Sequence, residues 1–237
     1  MSCSKCDCPF QEIRALDGSD SSAELRCMLD DSVQHVKFGP GEVLFMKGQP
    51  SSCLFVVSDG MVKMCAHSTE GCEQIVGFSS PHGLLVGLQS LQDDRYAYSA
   101  IAASNVTACK INHRILLQRI RDTGDLAVRL VRAMSAQLAL SRSLMEVLGH
   151  KCAGAKIAGF LLLITPKSKN GNGSFRLPFS RLEIANLLGL SEETVCRLMA
   201  SMKREGAIHT PRGKIEIRDR HRLRDIADGR ARVEMSH

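Results

Sequence analysis

The chain has 237 residues, a net charge of +6 and ten cysteines, a size that allows two domains. Its apolar runs are much shorter than the about 18 residues of a membrane-spanning helix, and the N-terminus lacks the apolar stretch of a secretion signal. We therefore expect a cytoplasmic protein with no membrane partner, whose cysteines are reduced thiols, metal ligands or redox groups rather than disulfides. No hydrolase triad, nucleotide-binding loop or zinc-hydrolase pattern is found, which argues against an enzyme.

The positive charge is concentrated toward the C-terminus. From Gly149 to His237, 17 Lys and Arg stand against 9 Asp and Glu, a net charge of +8, whereas residues 1–148 carry a net charge of −2. A basic C-terminal third is expected of a domain that contacts the phosphate backbone of nucleic acid.

The first part of the chain is predicted to be a cysteine-rich segment, residues 1–19, followed by a strand-rich domain, residues 20–121. A short helix is predicted for Ala23–Val33. Beyond it, short alternating apolar stretches separated by glycines predict strands at Glu42–Met46, Leu54–Val57, Met61–His67, Gln74–Phe78 and Ala97–Ile111. Asp59-Gly60 is a strong signal for a hairpin between two of them. This spacing predicts a small antiparallel β-roll or sandwich.

A long helix is predicted over roughly Asp122–Leu148, within a dimerisation segment of residues 122–149. Positions spaced alternately by four and three residues define a seam: Ala127, Val131, Met134, Leu138, Ser141, Met145 and Leu148. A second row lies beside it: Leu130, Gln137, Leu140, Leu144 and Val147. One row can pack on the roll while the seam faces the same helix of a second copy. A helix buried within one domain is the alternative.

A C-terminal domain, residues 150–237, is predicted to follow a hinge at Gly149–Lys151. It begins with a helix over Cys152–Ile164 and an exposed loop. Ser180 and Glu183 then match a capping box that opens a helix, and this helix ends at Gly189.

A second short helix follows directly. Ser191 is its predicted N-cap, Glu192 and Glu193 lie in its first turn, and the apolar face is Val195, Leu198, Met199 and Met202. Two short helices joined by a glycine-containing turn are typical of a DNA-binding helix-turn-helix, with an ordinary αα-hairpin as the alternative. The stretch Ala207–Ile217, with Pro211-Arg212-Gly213 at its centre, predicts a wing, and Arg218–Gly229 predicts a terminal helix.

This order of elements resembles the cAMP receptor protein/FNR superfamily of bacterial transcription regulators, and its FNR branch in particular. The resemblance rests on FGPGEVLFMKGQ, the Asp59-Gly60 turn, EQIVGF and LGLSEETVCRLMASMKREG. It implies an α+β fold with an N-terminal antiparallel β-roll of the cyclic-nucleotide-binding type, a long dimerisation helix and a C-terminal winged helix-turn-helix. It also implies a homodimer that binds double-stranded DNA, with RNA polymerase as a further partner.

The resemblance assigns roles within the second helix of the motif. Glu193 matches the glutamate that accepts a hydrogen bond from cytosine N4, and Arg197 matches the arginine that donates to guanine O6 and N7. Cys196 stands where the FNR branch usually has a serine, and its thiol is also a candidate redox group. The implied target is a palindromic TGA…TCA site. The other candidate DNA-contacting residues are Ser191, Thr194, Lys203 and Arg212.

The input signal is less constrained by the sequence. Members that bind cAMP carry Gly-Glu and Arg-Ser/Thr pairs in the roll, and GLLVGLQSLQDDRYAYSA has neither, which argues against cAMP. FNR-type members hold a four-iron four-sulfur cluster, which here implies the ligands Cys3, Cys6, Cys8 and Cys109, with Cys27 as a substitute.

Several alternatives to this cluster stay open. Zinc binding or a thiol switch would use the same cysteines, and an organic effector in the roll would need none of them. Cys6 and Cys8 are also closer together than the family spacing. In some FNR-type proteins an acidic seam residue makes dimerisation conditional, and Ser141 occupies that position here.

Overall fold

The computed structural model describes residues 33–67, 73–79, 84–122, 124–165, 174–211 and 214–233. The contacts divide the chain into two compact units, Met1–Leu138 and Ala139–His237. The cysteine-rich segment 1–19, most of the predicted helix Ala23–Val33 and several candidate site residues lie outside the described residues. Those candidates are Cys3, Cys6, Cys8, Cys27 and Arg212.

The first unit contains two four-stranded antiparallel sheets within its described part, which confirms the predicted antiparallel roll. The strands are β1 (Val33–Phe38), β2 (Val43–Phe45), β3 (Cys53–Asp59), β4 (Val62–His67), β5 (Glu73–Phe78), β6 (Leu84–Val86), β7 (Ser99–Ala102) and β8 (Val106–Asn112). The sheet orders are β1-β8-β3-β6 and β2-β7-β4-β5. Val33 begins a strand instead of ending a helix, the predicted strand Ala97–Ile111 is two strands, and β6 was not predicted.

The turn at Asp59-Gly60 does not form the predicted hairpin. Strand β3 pairs with β6 and β8, whereas β4 pairs with β5 and β7, so the turn carries the chain from one sheet to the other. Gly60 has φ +85°, and a Cβ there would lie 2.0 Å from the carbonyl oxygen of Asn105. The connection between the two sheets therefore requires glycine at position 60. This is why Asp59-Gly60 has the composition of a hairpin turn although β3 and β4 do not pair with each other.

The β1-β8-β3-β6 sheet is covered by apolar side chains on both faces. Between the two sheets lies a cluster that includes Phe45 and Tyr96, whose stacked rings have centroids 3.8 Å apart. On the opposite face, Cys109 packs with Leu54, Val56, Ile111, Leu116 and Leu126. Leu116 and Leu126 come from two helices that follow the roll, α1 (His113–Asp122) and α2 (Gly124–Gly149).

Helix α2 is the predicted long helix, displaced by one or two residues at its ends, whereas α1 was not predicted. Residues 150–152 lie outside any helix, at the position of the predicted hinge. Within the described part of the chain, no helix is both long and apolar enough to cross a lipid bilayer.

The second unit contains the predicted winged helix-turn-helix. Its further elements are α3 (Ala153–Ile164), β9 (Ser174–Arg176), α4 (Arg181–Leu188), α5 (Glu192–Arg204), β10 (Ile208–His209), β11 (Lys214–Ile217) and α6 (Arg220–Ala227). Strand β9, which was not predicted, completes a three-stranded antiparallel sheet in the order β10-β11-β9. This sheet carries the wing, and α4 and α5 are the two helices of the motif.

Candidate nucleic-acid interface

The start and end of α4 follow from three residues. Ser180 Oγ accepts a hydrogen bond from the Glu183 N–H at 3.1 Å, and Glu183 Oε2 accepts one from the Ser180 N–H at 2.8 Å. Gly189 adopts φ +64° and ψ +45°, the left-handed conformation that ends a helix. The predicted capping box and glycine stop are therefore confirmed. Leu182, predicted as an apolar member of this helix, is 53% exposed, because it lies about 200° around the helix from buried Ile184.

Helix α5 separates a buried face from an exposed one. Ser191 Oγ accepts from the Thr194 N–H at 3.1 Å, as expected of an N-cap. The four predicted apolar side chains are all buried: Val195, Leu198, Met199 and Met202. With this face fixed against the domain, the opposite face of α5 is available to a partner.

Three predicted DNA-contacting side chains, those of Glu193, Cys196 and Arg197, are exposed together on that opposite face. Arg197 Nη2 lies 2.6 Å from Glu193 Oε1, one helical turn away, and the two side chains are 55% and 70% exposed. Such an exposed pair adds about 0.3–0.5 kcal/mol to stability, so its main effect is to orient two hydrogen-bonding groups toward solvent. Lys203 is exposed two turns further along.

Arg181, which sequence analysis did not single out, lies between the two helices of the motif. Its guanidinium contacts the sulfur of Met199, about halfway along α5. Burial lowers the pKa of Arg181, and its electrostatic interaction with the nearby Cys196 thiol acts in the opposite direction. Arg181 thus places a positive charge at the contact between α4 and α5.

Lys156 is a second residue that sequence analysis missed. Its Nζ donates to the backbone oxygen of Leu188 at 3.1 Å and so holds the C-terminal end of α4. A cation at this end of a helix interacts favourably with the helix dipole. No local pattern could have indicated this contact, because the two residues are 32 positions apart in the chain.

The wing is formed by β10 and β11, with Ile208 opposite Ile217 and His209 opposite Glu216. Lys214 begins β11 and is exposed. Arg212, predicted to contact DNA from the turn between these strands, lies outside the described residues.

The seam predicted along α2 is a stripe of exposed apolar side chains. Five of its seven members are between 37% and 60% exposed: Val131, Met134, Leu138, Met145 and Leu148. Ser141 is exposed between them, and Ala127 is half-buried. Val128, which the heptad count omitted, is also exposed. In the second row, Leu144 and Val147 are buried and the rest are half-buried, so the two rows have different environments.

Cys109 occupies a different site, in the first unit. It lies on β8 directly opposite His35 of the edge strand β1, is 4% exposed, and its Sγ is 3.6 Å from His35 Nδ1. Strand β1 begins two residues earlier, at Val33. Strand β1 therefore begins next to Cys109, and a thiol on a strand of the sheet fits the role of the cluster ligand that the roll supplies. No group of three or more potential metal ligands occurs among the side chains that the structure describes.

Two family models match the chain. A cyclic nucleotide-binding domain matches residues 35–123, and a Crp-like helix-turn-helix domain matches residues 155–226. The transcriptional activator protein anr of Pseudomonas aeruginosa is 33% identical over 192 residues, which cover 80% of this chain and 78% of that protein. The chain belongs to the CRP/FNR family of transcription regulators.

Further members of the CRP/FNR family agree with this assignment. The nitrogen fixation regulation protein FixK of Bradyrhizobium diazoefficiens is 30% identical over 224 residues, covering 93% of this chain and 92% of FixK. The solved structure of FixK2 from Bradyrhizobium japonicum superposes with a TM-score of 0.70 at 24% identity, covering 82% of this chain and 96% of that one. This CRP/FNR protein is a DNA-binding transcription regulator.

Proposed function

We propose that this regulator binds, as a homodimer, a palindromic TGA…TCA-type DNA site and that an iron–sulfur cluster makes its binding respond to oxygen or redox state. The observation that carries the DNA-binding part is the exposed face of α5, where Glu193 and Arg197 are paired at 2.6 Å and point to solvent. A carboxylate and a guanidinium are the groups that read cytosine N4 and guanine O6/N7 in a major groove. Because relatives such as that of Pseudomonas aeruginosa are named activators, we propose activation, with RNA polymerase as the partner at the promoter.

The homodimer is supported by the stripe on α2. Exposing a stripe of apolar side chains with heptad spacing to water costs free energy. Packing of an identical helix against the stripe removes that cost. A two-fold axis along these helices would also match the two-fold symmetry of a palindromic site. Ser141 is uncharged, so we propose a dimer that persists without the signal, in which the signal acts on the geometry of residues 149–151.

The cluster is proposed to be of the 4Fe-4S type, held by Cys109 together with Cys3, Cys6 and Cys8, with Cys27 as a substitute. Two features support it: Cys109 lies on a strand of the sheet, and the neighbouring strand β1, which begins at Val33, is the first described element after the cysteine-rich segment. When bound, such a cluster supplies oxygen-sensitive one-electron chemistry. The aromatic packing of Phe45 and Tyr96 between the two sheets leaves less room for an organic effector in the roll.

Anaerobic purification tests the proposal. We expect a brown protein with about four iron and four sulfide per chain and a broad visible absorption, and we expect its affinity for a TGA…TCA duplex to fall on exposure to air. Substituting Cys109 with alanine should abolish the colour while leaving the melting temperature within a few degrees. A colourless, iron-free protein that binds the duplex equally with and without air would contradict the cluster.

Direct oxidation of Cys196 is a second candidate input, favoured by its exposure on the proposed DNA-contacting face and by its electrostatic interaction with Arg181. Oxidation to a sulfenic or sulfinic acid adds a polar, bulkier group where the helix meets a base edge. We expect peroxide to weaken DNA binding of the cluster-free protein, and Cys196→Ser to bind normally but resist peroxide.

Cys152 provides the matched control for this experiment, since it is exposed but lies at the start of α3. Cys152→Ser should remain as sensitive to peroxide as the unmodified chain. If Cys196→Ser loses affinity at the same rate as Cys152→Ser, oxidation of Cys196 is not the input.

A further inference from the structure

Cys109 and His35 form a cross-strand pair at the edge of the β1-β8-β3-β6 sheet. They are direct partners in the antiparallel register, so their side chains project from the same face. Cys109 Sγ and His35 Nδ1 are 3.6 Å apart, a distance suited to a hydrogen bond that involves the large sulfur atom. The two residues are 74 positions apart in the chain, and the contact exists only because β1 pairs with β8.

The surroundings of this pair differ on its two sides. Toward the helices, Cys109 packs against the apolar cluster of Leu54, Val56, Ile111, Leu116 and Leu126. Toward the sheet edge it faces His35, which is exposed while Cys109 itself is 4% exposed. His35 thus covers the thiol on the side of the edge strand β1.

We propose that the Nδ1–H of His35 donates a hydrogen bond to the Cys109 sulfur when that sulfur is the roll ligand of the cluster, which makes His35 a positioning residue for the redox centre. The inference rests on the cluster in the proposed function but concerns a residue that the family resemblance does not assign. Groups that hydrogen-bond to metal ligands orient them and tune the metal they hold.

The expected consequence follows from the charge on the sulfur. A donor to a ligating thiolate disperses negative charge, which favours the reduced form of the iron and raises its reduction potential. If Cys109 holds such a cluster, its oxidation in air would pass one electron to dioxygen, which would be reduced to superoxide. Because the donor makes this transfer less favourable, its removal should speed the loss of the cluster.

The test compares full-length protein purified without oxygen in four forms: unmodified, His35→Leu, His35→Asn and Gln34→Ala. Leucine fills the space without a donor, whereas the asparagine side-chain amide places an N–H close to the position of Nδ1. Gln34 is the matched control, because it is exposed on the same strand but is paired with Lys110. For each form we would measure iron and sulfide content, the reduction potential, the time course of the visible absorption in air and the thermal unfolding midpoint.

We expect equal initial iron content, about fivefold faster bleaching and a lower reduction potential for His35→Leu, and unmodified behaviour for His35→Asn and Gln34→Ala. Bleaching of His35→Leu at the unmodified rate would overturn the role of His35. So would equally fast bleaching of His35→Asn, since the donor would then be irrelevant. A colourless unmodified protein would overturn both the cluster and the role of His35. A coloured unmodified protein with an unchanged His35→Leu variant would overturn only the role of His35.

Discussion

Replacing Arg197 with alanine is expected to weaken binding to a TGA…TCA duplex by about 1–3 kcal/mol per half-site, or roughly 5- to 150-fold. The guanidinium is 55% exposed, so its loss leaves the domain core intact and removes only groups aimed at DNA. On a duplex in which the contacted G·C pair is replaced, Arg197→Ala and the unmodified chain should bind with equal affinity. The unmodified chain cannot make the guanine contact on that duplex either. Fluorescence anisotropy with both duplexes, without air and at one fixed salt concentration, measures the difference.

Lys203→Ala is the matched control for Arg197→Ala. Lys203 is exposed in the last turn of the same helix and is expected to contact phosphate. Its substitution should weaken binding to both duplexes by the same factor and reduce the salt dependence. If Arg197→Ala behaved in this uniform way, Arg197 would be a backbone contact and the base-reading role would be wrong.

Replacing Leu138 with glutamate is expected to raise the dissociation constant of the proposed homodimer by at least about a hundredfold. Leu138 lies mid-seam and is 52% exposed in the single chain. The dimer would lose apolar burial at both copies of Leu138 and would bring two carboxylates together, and each effect costs on the order of kilocalories per mole. Analytical ultracentrifugation gives the dissociation constant, and DNA affinity should fall with it.

Ala136→Glu supplies the control on the same helix. Ala136 is exposed but lies about 160° around the helix from Leu138, outside the seam. This variant adds the same charge and should remain a dimer. Equal dissociation of both variants would indicate a general effect of charge, and a dimer that survives Leu138→Glu would place the interface elsewhere.

The parts of this protein that could be predicted from sequence depend on residues close together in the chain. The capping box of Ser180 and Glu183, the N-cap Ser191 and the stop at Gly189 are contacts within one helical turn, so the spacing of residue types is enough to locate them. The same holds for the two faces of α5 and for the stripe along α2, because helical periodicity alone decides which side chains share a face.

The sheets show where local patterns fail. Asp59-Gly60 has the composition of a hairpin turn, yet β3 and β4 belong to different sheets, because strand pairing is decided by the whole roll. The unpredicted strands β6 and β9 are defined by pairing with β3 and β11, which lie beside them only in the folded domains.

The sequence by itself determined the order of domains, the recognition helix with its exposed Glu193 and Arg197, and the heptad seam. Only the tertiary structure decided that Arg181 contacts Met199, that Lys156 holds the end of α4, and that His35 covers Cys109. The residues of each pair belong to separate elements that packing or strand pairing brings together, at chain separations of 18 to 74 residues. Such contacts have no fixed spacing in sequence, so they emerge only when the fold brings the elements together.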